Sequence, residues 1–144
     1  MGESKRMIAA VALFVAALLT FAGCGEPDAS NLADGVYTGV SGEDDKGAYG
    51  EATVTVEDGE ITACEFVTWQ KDGSIKDEEY GKVNGEISNR EFYDKAQLAV
   101  RAMDEYAAAL VKVQSPQKVD AISGATIAYD QFTEAVADAL DGED

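Results

Sequence analysis

Hydrophobic positions fall into three regimes along this chain. Met7 to Phe21 is an uncharged, almost wholly apolar run, stretches between Val36 and Trp69 alternate apolar with polar, and from Phe92 onward apolar residues recur every three or four positions. Alternation is the period of a half-buried strand, and three-to-four spacing that of a helix with one buried face. Val36–Val40, Glu51–Val56 and Ile61–Trp69 therefore read as strands, the last with Cys64 and Phe66 on one side. Glu57-Asp58-Gly59-Glu60 places Asp-Gly at the centre of a tight hairpin turn. The alternation slips around Thr62 and Ala63, where a β-bulge is expected.

Helical signals follow. Ser88-Asn89-Arg90-Glu91 reads as a capping box, with Ile87 and Phe92 spaced for a hydrophobic staple. Phe92, Ala96, Ala99, Met103, Tyr106, Ala107 and Leu110 then form one stripe, which is assigned to the core with no cofactor role. Pro116 closes that segment. A last helix follows Thr126, with Ala128, Phe132, Val136, Ala139 and Leu140 facing inward and Gly142 as its stop. Between strands and helices lies Gln70–Glu86, glycine-rich and charged. It reads either as a functional loop or as a solvated connection. Strands followed by helices predict an α+β fold: a small antiparallel sheet packed against two main helices in one domain, residues 33–141.

The first apolar run is too uniform to belong to that domain. Lys5 and Arg6 precede it, and Phe21-Ala22-Gly23-Cys24 ends it. A basic start, an apolar stretch and small residues before the cut describe an export signal. A cysteine directly after them resembles a bacterial lipoprotein signal, which implies a lipid on Cys24 and cleavage after residue 23. Phe21 departs from the Leu usual in that motif. The alternative is an uncleaved anchor, since Met7–Gly23 is near the lower length for a spanning helix. Either way the rest of the chain is expected at the extracytoplasmic face of a cell membrane. Residues 24–32 then form a lipidated linker, short enough to hold the domain within about 30 Å of the lipid. Acyl chains contribute about 0.8 kcal/mol per buried methylene, so two or three make a durable anchor.

Charge narrows the chemistry. The 144 residues carry 28 Asp and Glu against 11 Lys and Arg, a net charge of −17, and no histidine. Loss of Glu3, Lys5 and Arg6 with the signal leaves nine basic against 27 acidic residues, or −18. Such a chain is not built for nucleic acid, whose phosphates demand an excess of cations. Without histidine there is no Ser-His-Asp or Cys-His catalysis, no His-ligated zinc and no proximal-His haem. Once Cys24 is acylated, Cys64 is the only other thiol, so no intramolecular disulfide is available.

Asp120-Ala121-Ile122-Ser123-Gly124-Ala125-Thr126, just before the last helix, is the informative stretch. Gly124 lets a bulky group approach the backbone. Ser123 and Thr126 offer hydroxyls, and the helix aims its free amides and positive dipole end at the same place. An anion held there would need little help from Lys or Arg. The plainer account from spacing alone is that Ser123 or Thr126 caps the helix.

These residues also resemble the flavinylation motif of the FMN-binding domain family. Its members include subunits of sodium-pumping NADH:quinone oxidoreductases and Rnf-type complexes, and surface lipoproteins of extracellular electron transfer. Asp34 to Gly39 resembles the usual start of the domain, Val54 to Ile61 its central hairpin, and Val119 to Leu140 its closing motif and helix. The resemblance covers about residues 33–140. It implies FMN joined to Thr126 through a phosphoester, with Asp120, Ser123, Gly124 and Ala125 as flanking recognition positions. It also implies a separate flavin transferase that uses FAD as donor. Where the respiratory members carry a His- or Glu-containing Thr-Pro-Gly-Leu-Gly-like segment, this chain has Asp77-Glu78-Glu79-Tyr80-Gly81-Lys82. That departure favours the smaller lipoprotein branch. Trp69 and Tyr80 are candidates to stack on the flavin ring.

The expectation is therefore a membrane-tethered flavin electron carrier, not an enzyme in its own right. An acidic surface lowers the potential of a bound flavin and steers the carrier toward a redox partner with a basic docking patch. The alternative is a non-redox solute-binding or structural lipoprotein of the same fold without covalent flavin.

Overall fold

The computed structural model describes residues 26–142. The expected export segment, residues 1–23, and Cys24 lie outside the described residues. Three antiparallel strands, β1 (Gly35–Val40), β2 (Tyr49–Glu57) and β3 (Glu60–Trp69), form one sheet in the order β1-β2-β3. Helix α1 spans Arg90–Val113 and α2 spans Thr126–Leu140, with a 3-10 turn at Pro116–Lys118 between them. This is the α+β arrangement that the hydrophobic pattern predicts.

The sheet owes its register to two local features. Asp58 and Gly59 both have positive φ, 51° and 76°, as the tight hairpin turn requires. Beyond it Val56 pairs with Ile61 but Thr55 pairs with Ala63, so Thr62 is the extra residue of a bulge. The bulge shifts the phase of β3: Ile61 faces inward before it, and Phe66 and Thr68 after it. Gln114, in the left-handed conformation that closes α1, serves this irregular point. Its side-chain amide accepts from the Ile61 N–H at 2.7 Å and donates to the Ile61 carbonyl at 2.9 Å.

Both helices cover one face of the sheet, α2 over β1 and β2 and α1 over β3. Ala128, Phe132, Val136, Ala139 and Leu140 of α2 are all buried, as their spacing predicts. Phe132 meets Phe66 edge-on at 5.4 Å and stacks on Tyr106 at 5.5 Å, so sheet and both helices share one aromatic cluster. The closest approach is at Gly39, where a Cβ would stand 2.2 Å from the Ala135 carbonyl oxygen and the Ala139 nitrogen. Nearby, the Val40 N–H donates to Asp138 and the Gly42 N–H to Glu134, tying the end of the edge strand to α2. Cys64 is half-buried, and burial, with Glu65 adding to it, pushes its thiol up to about 12. That suits a packing role over a reactive one.

The start of α1 differs from expectation. The cap is Asn89 and not Ser88: the Asn89 side chain accepts from the Phe92 N–H at 3.1 Å. Asparagine caps as well as serine, so the helix begins one residue later than a Ser88 cap would place it. Glu91 turns forward to Lys95 at 2.9 Å instead of reaching back. Ile87 and Phe92 are exposed and form no staple. Ala29, within the stretch read as linker, is buried against the domain at 2 % exposure.

Gly39→Ala tests the helix–sheet contact. Its Cβ meets main chain, which cannot rotate away, so the expected loss is about 2–3 kcal/mol or more in urea unfolding. A loss below about 1 kcal/mol, small for overpacking against main chain, would contradict the approach.

Candidate functional site

Residues 122–125 form a tight turn in which the Ala125 N–H donates to the Ile122 carbonyl at 3.0 Å. Gly124, third in the turn, has φ +86° while Ser123 has no positive φ, the pattern of a type II turn that favours glycine. A Cβ on Gly124 would also stand 2.7 Å from Leu98 of α1. The turn delivers the chain directly into α2, whose first helical residue is Thr126.

Neither hydroxyl caps that helix, contrary to the plainer reading of the sequence. Ala125 occupies the cap position with φ −132° and ψ 35°, and no side chain bonds to the free end. The first helical bond runs from the Tyr129 N–H to the Ala125 carbonyl. The N–H groups of Thr126, Ile127 and Ala128 are thus left without backbone partners, as at any helix start. No acidic residue stands in this first turn, in a chain with 28 of them. Thr126 is exposed. The turn conformation supplied by Gly124 places Ala125 at the cap, and that is why the Thr126 hydroxyl stays uncommitted.

The residue that holds this geometry is Tyr106 of α1, only 1 % exposed. Its hydroxyl accepts from the Ile122 N–H at 2.9 Å and donates to the Ala125 carbonyl at 3.0 Å. One buried phenol therefore straps both ends of the turn. Sequence reasoning placed Tyr106 in the core and stopped there. The missed signal was the hydroxyl itself, since a tyrosine on an otherwise apolar stripe must find it a partner.

Thr126 opens onto a cleft of about 370 Å³. Its walls are Gly124–Ala128 and Gln131 of the motif and α2, Phe92, Lys95, Ala96, Ala99 and Met103 of α1, Thr68 of β3, residues 44–46, and Lys76 with Tyr80. Size and mixed lining are those of a small-molecule site. The first half of the α1 stripe is thus a cleft wall and not core alone. Phe92 is 50 % exposed and Ile127 62 %, and both line the cleft with Thr126. Tyr80 lies in the cleft, as the sequence suggested, whereas Trp69 lies outside it and faces Glu51 with its indole N–H at 3.5 Å. Ser123 and Asp120 are exposed on the approach and do not line the cleft. Gln131, buried, donates to the Ala48 carbonyl at 3.0 Å and so ties the loop after β1 to α2.

The segment between β3 and α1 is ordered against α1. Gln97 donates to the carbonyls of Asp77 and Tyr80 at 3.0 and 2.9 Å, and the Tyr93 hydroxyl donates to that of Glu78 at 3.1 Å. These bonds hold Tyr80 at the cleft. Of the two readings of this segment, the bonds favour a wall of the site over a solvated connection.

The cleft also corrects the picture of a site without cations. Lys46, Lys76 and Lys95 line it, three of the nine Lys and Arg after residue 23. Burial pulls the Lys76 ammonium below its ordinary pKa, against the opposing charge of Asp44. For Asp44 burial acts upward, but N–H bonds from Ala48 and Lys46 outweigh it and hold the carboxyl below the usual range. Among the described residues no group of His, Cys, Asp and Glu is arranged to hold a metal ion.

The model of one family, described as the FMN-binding domain, matches residues 47–141. Among solved structures the chain is similar to a crystal structure of a Clostridium perfringens protein, with 24% identity over 76% of this chain and 87% of that one, at a TM-score of 0.59. That likeness is one of fold. A solution structure of a Clostridium thermocellum protein is 25% identical over 78% of this chain and 94% of that one, at a TM-score of 0.46. No curated protein matches the chain.

Tyr106→Phe removes the strap while leaving the ring. Two main-chain groups lose a partner, so stability should fall by about 1–3 kcal/mol. Amide exchange at Ile122 should accelerate more than at core positions of β2. Uniform exchange across both would refute the local role.

Proposed function

The chain belongs to the FMN-binding domain family, and from that premise we propose that it is a membrane-tethered flavin carrier bearing FMN on Thr126. The observation that carries this reading is the Thr126 hydroxyl: exposed, first in its helix, outside any cap, and beside a cleft of suitable size.

The residues present fit the group. A phosphate esterified to Thr126 Oγ1 would lie at the start of α2, where unpartnered N–H groups and the helix dipole favour negative charge. Ala96, Ala99, Met103, Phe92 and Ile127 offer apolar surface to a ring, with Tyr80 as the aromatic partner. When bound, FMN supplies one- and two-electron transfer, and the protein supplies placement and electrostatics. Gly124 leaves the approach to Thr126 open. Tyr106 keeps the turn from refolding around the attached group. On a separate transferase with FAD as donor, Thr126 Oγ1 would lose its proton and take the FMN phosphoryl group, the phosphoester forming as the FAD pyrophosphate bond breaks and AMP leaves. A covalent bond prevents loss of the cofactor outside the cell, where it is not replenished.

Tethering through a lipid on Cys24 completes the proposal. With the domain's packed edge reaching back to Ala29, little free chain separates it from the lipid surface. The carrier then works close to the membrane, meeting its redox partner there.

Intact mass of the mature protein, exported together with a flavin transferase, tests the cofactor. The wild type should gain the mass of one FMN ester, and Thr126→Ala should gain none. An unmodified wild type under these conditions ends this reading. Fractionation tests the anchor: Cys24→Ser should move the protein from the membrane to the soluble fraction, and unchanged partitioning would argue against lipidation.

A further inference from the structure

Net charge and local charge have opposite signs at this site. A chain at −17 should disfavour electrons arriving on a bound cofactor. Most of that charge lies on exposed side chains, whose fields fade beyond a Debye length of about 8–10 Å in ordinary salt. A partly buried charge in a cleft wall is screened far less. The charged groups lining the cleft are Asp44, Asp45, Lys46, Lys76 and Lys95.

Among them Lys76 stands apart. Lys46 and Lys95 are exposed, and Lys95 is paired with Glu91 at 2.9 Å. Lys76 is half-buried and forms no salt bridge among the described residues. Its N–H donates to the Thr68 carbonyl at 2.9 Å, which fixes its backbone beside the cleft floor. Its ammonium lies 4.9 Å from the centre of the Tyr80 ring, and Tyr80 is itself held by Gln97. Asp44, the nearest opposing charge, is engaged elsewhere: its Oδ1 accepts the N–H groups of Lys46 and Ala48 at 2.8 and 3.0 Å. Lys76 is thus a positive charge held in the cleft wall, without a counter-ion in contact.

We propose that Lys76 sets its charge against the flavin ring and raises the cofactor's reduction potential, overriding the acidity of the chain. The proposal rests on the flavin reading above. Uptake of two electrons and one proton leaves one negative charge on the ring, and a nearby ammonium favours that state over the neutral oxidised one. The electrons come from the carrier's redox partner or, in the test, from dithionite. Lys76 acts on the cofactor's energy and neither donates nor accepts a proton. It is a tuning residue, not a catalytic one.

The test is a mediator-coupled dithionite titration of the full mature chain bearing FMN, at low and high salt. Lys76→Met should lower the midpoint potential, and Lys76→Arg should retain it. Lys118→Met, in the 3-10 turn that follows α1 and outside the cleft lining, should leave it unchanged. The gap between wild type and Lys76→Met should persist at high salt. An unchanged potential in Lys76→Met, or an equal drop in Lys118→Met, overturns the proposal. The titration works equally on FMN held reversibly, so a wild type without covalent flavin would defeat only the Thr126 reading. Failure to hold FMN at all would defeat both.

Discussion

The buried hydroxyl of Tyr106 is the constraint on which the rest of the site depends. It closes two hydrogen bonds to the turn before α2, and its ring stacks on Phe132 of α2 itself. An unpartnered hydroxyl at that depth would cost about 1–3 kcal/mol, more than a made bond contributes. The loop, the helix start and the packing of α1 on α2 are therefore fixed together. A shift in any one would strand a polar atom in the aromatic cluster. The consequence is felt at Thr126, which is delivered at a fixed point with its hydroxyl unused.

The same geometry explains how so acidic a protein accommodates an anionic ligand. Acidity is a property of the surface, where water and salt screen it. At the cleft three lysines outnumber Asp44 and Asp45, the free amides of α2 add to them, and no acid stands in its first turn. The segment between β3 and α1 completes this arrangement, with Lys76 held against β3 and Tyr80 against α1. This glycine-rich, charged segment thereby supplies a lysine and an aromatic ring to the cleft.

Legibility followed interaction range. The hairpin at Asp58-Gly59, the bulge at Thr62 and the inner face of α2 depend on neighbours in sequence, and all were readable. So was the Asp120–Thr126 stretch, through its composition and its resemblance. The cap of α1 was misread by one residue because Ser88 and Asn89 are chemically equivalent there, and backbone geometry chooses between them. Phe92 and Ala99 fit the stripe equally as core or as cleft wall, since spacing states which face a residue shares and not what lies opposite. Trp69 and Tyr80 were indistinguishable by type, and only the fold placed one inside the cleft and the other outside.

The sequence by itself determined the order of strands and helices, the hairpin register, and the presence of a hydroxyl–glycine motif ahead of a helix. Those are local choices of period, turn chemistry and composition. Tertiary structure alone decided that Tyr106 would strap that motif, that Ala125 would cap in place of a hydroxyl, and that Lys46, Lys76 and Lys95 would line the same cleft as Thr126. Each of these joins residues far apart along the chain. No pattern in sequence records such a meeting, because it follows from how helices and sheet pack around one aromatic cluster.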